Sequence, residues 1–320
     1  MQTNGNQAKL IGILAATGGA ACFSIIDMLF KFLSTDFPLY EVVFIRTLVA
    51  LTLLLAVLTP LAGGYHTLRT RHPRLHLLRS LLVLGANITF FSGLAVLPLA
   101  DAVAISFATP LIVTLLSVVI LGEKVGPWRW SAVGLGFLGV VIIMRPASTS
   151  FQWASLLPFL GACGYAGMHV LSRRIGKSDA TVALSFYPLC GFLLISTLAG
   201  LTFGDGHLAQ GTSDVTGFLL RAWRWPEGGE WPLLIAAGLA GSVGGFLISH
   251  AYKTAEAGLI APFEYIALPL AALWGVLVFQ DWPDPFVWGG GLLIIAAGLL
   301  SLWRETLRNA PPSRPRPRNT

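Results

Sequence analysis

The chain has 320 residues, of which 55% are hydrophobic and only 11% are charged. Soluble domains usually carry about 25% charged residues, so this composition excludes a protein built mainly of soluble domains. The net charge of +6 lies in short segments between apolar runs and in the C-terminal tail. That distribution is typical of a membrane protein, and we expect no nucleic-acid partner. The three cysteines lie within apolar runs and predict no disulfide framework; no metal site and no cofactor are expected.

Apolar runs long enough to cross a bilayer, roughly 20 residues each, follow one another along the chain. They lack the two-residue alternation of barrel strands, and a helix satisfies its backbone hydrogen bonds internally. The sequence therefore predicts an all-α membrane protein with ten transmembrane helices. In chain order these cover residues 10–34, 39–58, 75–97, 100–121, 128–144, 153–171, 181–201, 231–252, 258–279 and 285–303.

Two polar segments are predicted to lie outside the membrane. Residues 204–230 form an external loop, with a short surface helix near 218–225. Residues 309–320 are rich in Pro and Arg, which predicts a disordered basic tail in the cytoplasm.

The distribution of positive charges indicates the orientation of the ten helices in the membrane. Sixteen Lys and Arg residues lie in one set of connecting segments, and only Lys31, Arg145, Arg221 and Arg224 lie in the other. Because cytoplasmic loops carry the excess of positive residues, both termini are predicted to be cytoplasmic. We expect a multi-pass protein of the cell inner membrane.

The two halves of the chain resemble each other, which predicts a repeat over residues 1–146 and 150–305. One offset aligns Cys22 with Cys163 and Arg46 with Tyr187. Later, a proline that is followed by leucine precedes an acidic residue in both halves. Pro110 lies 13 positions before Glu123, and Pro269 lies 12 positions before Asp281. Five helices per half is an odd number, so the second half is inverted in the membrane. Inverted repeats are typical of secondary transporters, which bind substrate between the repeats.

Several short motifs along the chain carry a resemblance to a known family. They are Asp27, Lys31, residues 41–46, residues 108–111, residues 121–123, Arg129-Trp130, Gly134, Gly136, Gly139 and residues 261–265. At these positions the chain resembles the EamA-type carriers of the drug/metabolite transporter superfamily. The resemblance implies ten helices in two inverted five-helix repeats, and it is strongest to the branch of bacterial S-adenosylmethionine and riboflavin uptake carriers. Gln280-Asp281 departs mildly from the Gly-Glu that the family often has.

Ionisable residues inside a span are costly and need a partner or a function. Asp27 and Lys31 share one face of the first helix. Asp27 and Arg46 each lie seven residues from an external helix end, roughly 10 Å deep. We therefore predict an Asp27–Arg46 contact and a Lys31–Glu41 contact. Each pair is either a clamp between helices or a site for substrate or a proton.

Glu264 is the strongest single candidate for a functional residue. It lies about 9 Å deep in the ninth predicted helix, and Pro262 beside it can open a polar pocket. A buried carboxylate can exchange a proton or hold a cationic group of a substrate. The alternative is a structural acid with a partner.

Other polar and aromatic residues within the spans are weaker candidates for substrate binding or coupling. Packing inside the helix bundle is the alternative for each of them, and a pair of histidines lacks the spacing of a metal site. These residues are Asn87, Tyr165, His169, Tyr187, His250, Tyr265 and Trp274.

The sequence favours a secondary transporter over an enzyme or a scaffold. It has no Walker motif and no catalytic cluster, so we predict that it is not an enzyme. The predicted partners are a small polar organic metabolite and the lipid bilayer, with the protein a monomer or weak dimer. S-adenosylmethionine or a vitamin-like compound is the implied substrate, moved by proton coupling or exchange. Export of amino acids or similar metabolites is the alternative.

Overall fold

The computed structural model describes the chain in several stretches, and the regular secondary structure in them is helical. The predicted tail at 309–320, and Pro262, lie outside the described residues. The described stretches are residues 2–122, 126–146, 152–175, 179–209, 214–254, 260 and 263–308.

We number twelve longer helices in chain order. They are α1 Gln2–Leu33, α2 Leu39–Leu53, α3 Pro73–Val96, α4 Leu99–Ser106, α5 Thr109–Leu121, α6 Pro127–Met144, α7 Leu156–Ile175, α8 Thr181–Phe203, α9 Asp214–Leu220, α10 Trp231–Thr254, α11 Ala267–Phe279 and α12 Pro285–Arg308. Helix α2 continues through a π-helical turn, Leu54–Leu58, and a short turn, Thr59–Leu61.

Eight helical spans of the described chain are long and apolar enough to cross a membrane, with α4 and α5 forming one of them. They coincide with the first eight predicted spans. The two remaining apolar helices, Ala267–Phe279 and Pro285–Leu300, are shorter. Residues 255–259, where the ninth predicted span begins, lie outside the described residues. The count of ten transmembrane helices stays a prediction.

Two of the predicted spans are interrupted at corresponding points. A turn at Phe107 and Ala108 separates α4 from α5, and a turn at Tyr265 and Ile266 precedes α11. Helices α5 and α11 both have 13 residues. Each is followed by a residue in the left-handed region, with φ of 68° at Gly122 and 58° at Gln280. Pro110, near the start of α5, lacks a backbone N–H and suits the first turn of a new helix.

The predicted surface helix near 218–225 is wrong in position and in exposure. The helix of this segment is α9, Asp214–Leu220, and Phe218 is buried in the core. After α9 the chain is not helical, and the Trp223 N–H donates to the Gly204 carbonyl at 2.8 Å. That bond anchors the non-helical segment to the end of α8.

Glycines allow the closest contacts between helices. Helix α6 packs against α12, and a Cβ atom at Gly139 would lie 2.6 Å from the Gly290 carbonyl oxygen. A Cβ atom at Gly290 would in turn lie 2.5 Å from the Gly139 carbonyl oxygen. Helices α1 and α10, and likewise α3 and α7, also meet through glycines. Small residues have this role in membrane helix bundles, where close backbone approach provides packing.

The bundle has two sides, which we name for the direction of α1. The N-terminal side is where α1 begins, α2 ends and α3 begins. The opposite side is where α1 ends, and it includes the α3–α4 connection and the segment after α9. Large side chains fill the interior near the opposite side: Phe30, Phe37, Leu39, Leu94 and Leu97 are all buried.

Candidate functional site

A cavity of about 790 Å³ lies between helices α1, α2, α3, α7, α8 and α10. It extends from the middle of the bundle to the N-terminal side, where Leu61 and His250 line it and are both exposed. Ser106 and Thr109, at the α4–α5 break, contribute hydroxyl groups to its wall. Large apolar residues fill the interior near the opposite side, so among the described residues the cavity opens toward the N-terminal side.

A hydrogen-bonded cluster of three predicted residues lies at the deep end of this cavity. Arg46 on α2 donates to Asn87 Oδ1 on α3 at 2.8 Å. The Asn87 amide donates to the Tyr165 hydroxyl on α7 at 2.7 Å and to the Val83 carbonyl at 3.1 Å. Three helices are therefore joined through one buried amide.

Aromatic rings surround the Arg46 guanidinium. Its central carbon lies 4.8 Å from the ring centre of Phe30, 5.5 Å from Phe91 and 5.4 Å from Phe192. Cations are attracted to the faces of aromatic rings, and the attraction is stronger where water is excluded. These contacts help to hold a charged group inside an otherwise apolar pocket.

Asp27 lies on the wall of the same cavity, but the predicted direct contact with Arg46 is wrong. The two charged groups form no ion pair, and the described part of the chain provides no hydrogen bond to the Asp27 carboxylate. The guanidinium is directed instead to Asn87, which is closer to it. Thr47, also on the wall, is 1% exposed and its hydroxyl has no partner within the described residues. The deep end thus presents the Asp27 carboxylate to a ligand, whereas the Thr47 hydroxyl oxygen is buried beside it.

Arg79, one of the sixteen positive residues that indicate the orientation, lines the cavity nearer its mouth. Its Nε donates to Ser172 Oγ at 2.7 Å, and the guanidinium also donates to the Leu184 carbonyl. Arg79 is the fifth residue of the predicted span 75–97. A charged residue inside a predicted span is the sequence pattern that indicates a side chain facing the interior of the bundle. His250 shares the mouth, with its ring stacked 6.0 Å from that of Phe246.

The predicted Lys31–Glu41 contact is also wrong, because the two side chains face different neighbours. Lys31 Nζ donates to the Leu97 carbonyl at 2.6 Å and lies 3.9 Å from the Asp281 carboxylate. The Glu41 carboxylate accepts the Arg224 backbone N–H at 3.2 Å. Lys31 therefore lies on the closed, opposite side and not in the cavity.

The remaining candidates are not among the described residues that line the cavity. The Tyr187 hydroxyl donates to the Leu68 carbonyl at 3.0 Å. The Tyr265 ring packs 5.2 Å from that of Phe107, so the two helix breaks meet. Trp274 packs against the core, Glu264 is half-buried and His169 is exposed.

Charged groups join distant parts of the chain on the opposite side. Arg145, after α6, pairs with Asp284, before α12, at 2.8 Å. The Phe286 backbone N–H and the Arg145 guanidinium lower the pKa of the Asp284 carboxyl. Arg221 donates to the carbonyls of Ser34 and Thr35 at 3.2 and 2.5 Å. These contacts close the opposite side. In the described chain, the His, Cys, Asp and Glu residues form no cluster suited to a metal ion.

Comparison with known proteins shows that the chain is similar to transporters. The EamA-like transporter family matches residues 10–145. The chain is 30% identical over 250 residues to a riboflavin transporter of Rhizobium johnstonii, covering 78% of this chain and 77% of the relative. It is 26% identical to an S-adenosylmethionine uptake transporter of Rickettsia felis, covering 87% and 88%. A crystal structure with 19% identity covers 95% of this chain and 99% of its own, with a TM-score of 0.62, and shows the fold alone.

Proposed function

Because the chain belongs to the EamA-like transporter family, we propose that it is a secondary active carrier of a small polar organic metabolite. It is a multi-pass membrane transporter and not an enzyme. The observation that carries the proposal is the cavity of about 790 Å³, which opens toward the N-terminal side, with Asp27 and Arg46 at its deep end.

Helix packing supports the proposed inverted repeat of two five-helix units. In the proposed repeat, α1 of the first unit corresponds to α7 of the second, and α3 corresponds to α10. The helix pair α1–α10 therefore corresponds to the pair α7–α3, and the helices of both pairs are in close contact. The pairs α2–α8 and α6–α12 would each map onto themselves, and both are also packed. The equal lengths of α5 and α11 fit the same scheme.

Alternating access follows from this symmetry and from the opening of the cavity toward the N-terminal side. With the termini in the cytoplasm, as the charge bias predicts, the cavity opens inward and the contacts of Lys31 and Arg145 close the external side. Exchanging the conformations of the two units would open the outside and close the inside. Substrate bound near Arg46 would then face each compartment in turn.

The charges at the deep end favour S-adenosylmethionine over riboflavin as the substrate. S-adenosylmethionine carries an ammonium group, a carboxylate and a flat purine ring. Asp27 suits the ammonium group, Arg46 suits the carboxylate, and the aromatic wall suits the ring. Riboflavin carries neither an ammonium group nor a carboxylate, so it could offer Asp27 only neutral donors and Arg46 only neutral acceptors. Charged groups left unpaired in a closed site cost binding energy.

Export of an amino acid or a related metabolite is the second candidate function. The observation that favours it is that the cavity opens on the side predicted to be cytoplasmic, where an exported compound would load. The same Asp27 and Arg46 groups suit the head group of an amino acid.

Uptake by proteoliposomes of the purified protein tests the proposal. We expect accumulation of labelled S-adenosylmethionine, with riboflavin a poor competitor. Asp27→Asn and Arg46→Gln are expected to reduce uptake at least about 100-fold, since each removes a charge-assisted contact. Thr52→Ala is the matched control, because its exposed hydroxyl bonds only to its own helix, at the Leu48 carbonyl. Uptake that survives both charge-removing variants contradicts the assigned site.

The assays also separate the two directions of transport. Counterflow into vesicles loaded with unlabelled amino acids, without uptake of S-adenosylmethionine, would favour the exporter. No flux of any of these compounds would overturn the proposed substrate class.

Glu264 remains a proposed coupling or substrate residue, and its test is separate. Thermal-shift titration of Glu264→Gln with S-adenosylmethionine compares the stabilisation by ligand with that of the wild type. A lost shift supports a substrate contact. An unchanged shift with unchanged transport removes Glu264 from the site.

A further inference from the structure

A buried histidine–carboxylate pair lies on the N-terminal side, outside the cavity wall. His76 Nε2, at the start of α3, lies 2.8 Å from Asp179 Oδ2, in the α7–α8 connection. The two side chains are 1% and 2% exposed. Buried ionisable groups in a membrane protein are costly and are retained where they pair or function.

The pair joins the proposed units at their connecting segments. Thr70, between α2 and α3, also donates its hydroxyl to Asp179 Oδ2. The Tyr187 ring of α8 lies 4.5 Å from the His76 ring, and its hydroxyl bonds to the Leu68 carbonyl. The α2–α3 connection is therefore attached to the beginning of α8, beside the cavity mouth. We name this set of contacts the inner bridge: Leu68, Thr70, His76, Asp179 and Tyr187.

One nitrogen of the His76 ring is available for a proton. If Nε2–H donates to the Asp179 carboxylate, Nδ1 carries the lone pair. Nδ1 is buried and has no hydrogen-bond partner within the described residues. Proton binding there would convert a hydrogen bond to a carboxylate into an ion pair, which is the stronger contact. Histidine is the side chain that ordinarily makes this change near neutral pH.

The surrounding titratable and charged groups come from each packed element. Arg79 of α3 is held by Ser172 and the Leu184 carbonyl. Residues 176–178 lie outside the described residues. The other nearby groups are the exposed Arg69, Arg71, His72 and Arg74, and Tyr187 and Cys190 of α8.

The opposite side also holds a buried acid, but its partner is not a histidine. There the segment between α8 and α10 contacts Glu41, near the start of α2, through the Arg224 backbone N–H. The Arg224 side chain pairs with Glu230. Of these two contacts of a buried acid, the inner bridge is the one that contains a histidine side chain.

We propose that His76 and Asp179 form a proton-binding site that links the opening of the cavity mouth to pH. Protonation strengthens the inner bridge and favours the conformation that is open on the N-terminal side. Loss of the proton from Nδ1 weakens the bridge and favours closure. The proposal rests on the proposed transport function and assigns its proton sensitivity to one pair.

Equilibrium exchange in proteoliposomes, with equal pH on both sides, tests the site. We expect the wild-type exchange rate to change about fivefold across the range in which histidine titrates. His76→Gln, which can donate but cannot be charged, is expected to exchange substrate with a flat pH profile. Asp179→Asn is expected to behave in the same way. His72→Gln, exposed and four residues away, should keep the wild-type profile. Retention of that profile in both bridge variants would overturn the proposal.

Labelling at the mouth tests the site without any substrate. Ser185, in α8, lines the cavity. The cysteine of the variant Ser185→Cys can be labelled with a membrane-impermeant maleimide. The labelling rate of this cysteine is measured in the otherwise wild-type protein and in the His76→Gln background. We expect the first rate divided by the second to rise as pH falls. A constant ratio overturns the proton site. A changing ratio with no transport of any compound would keep the site and reject the proposed function.

Discussion

The two sides of the bundle use different groups to hold the halves of the chain together. On the opposite side, Lys31 and Arg145 reach Asp281 and Asp284, so permanently charged groups join them. On the N-terminal side, the Arg79 guanidinium bonds to neutral oxygens, and the buried acid is paired with a histidine. The side with permanent ion pairs is closed, and the side with weaker or titratable contacts is open. Transport through such a bundle needs the closed side to open, so its ion pairs must be breakable.

Among the contacts that hold the two sides, the largest effect is expected from removing the Lys31 charge. Lys31→Met loses the bond to the Leu97 carbonyl and the attraction to Asp281, and it should populate conformations that are open on the opposite side. Ile105→Cys, 1% exposed on the wall of a smaller cavity there, reports this opening. We expect its labelling rate to rise about tenfold in the Lys31→Met background. An unchanged rate would mean that Lys31 does not hold this side closed.

A smaller effect is expected for the Arg145–Asp284 pair, because both groups are partly exposed. Surface ion pairs contribute up to about 1 kcal/mol, so Arg145→Gln should raise labelling of the same cysteine about threefold. The exchange Arg145→Asp with Asp284→Arg should restore the wild-type rate. If the exchanged pair does not restore the wild-type labelling rate although each single variant still transports, the raised labelling would be assigned to loss of the contact between Arg145 and the Phe286 ring.

A change at the mouth should affect transport by a similar or smaller factor. Arg79→Gln keeps an amide donor for the Ser172 hydroxyl but loses the charge, so we expect transport to fall about threefold. Arg74→Gln, exposed on the same helix, is the control. If Arg79→Gln abolishes transport, Arg79 contacts the substrate directly and the binding site extends to the mouth.

The smallest effect concerns pH on the opposite side. The lowered pKa of Asp284 means that its contribution is present above the ordinary carboxyl pKa and is lost only as pH falls below that range. Asp101 is a second titratable group on the wall of the same small cavity, so the comparison is made in the Asp101→Asn background. There, labelling of Ile105→Cys relative to the same variant carrying Arg145→Gln should be constant between mildly acidic and neutral pH. A pH-dependent ratio in that interval would show that a titratable group controls this side as well.

Sequence patterns predicted the helices better than the contacts between them. Eight spans follow from the lengths of apolar runs alone, because burial in lipid dictates composition over whole turns. Depth along the helices matched Asp27 with Arg46, and the structure brings both to one cavity with Asn87 and Tyr165. The role of these residues in binding or coupling stays a prediction. Depth alone does not give the direction of a side chain around its helix. The Asp27–Arg46 and Lys31–Glu41 pairs failed for that reason.

The inner bridge and the segment after α9 illustrate what a sequence pattern omits. Asp179 and Thr70 lie in polar connections more than one hundred residues apart, and no local periodicity links them. His76 is a polar residue at the start of an apolar run, and nothing in the sequence around it indicates its partner. The short helix near 218–225 was predicted to be on the surface because it lies in the polar segment 204–230, but tertiary packing buries Phe218.

The contact of Gly139 with Gly290 limits where motion can occur during the transport cycle. Each glycine leaves room for the carbonyl oxygen of the other, so sliding α6 along α12 would bring a side chain onto a backbone oxygen. We therefore expect α6 and α12 to keep their positions relative to each other during transport. A probe pair spanning α6 and α12 should report a constant distance, while one across the mouth does not.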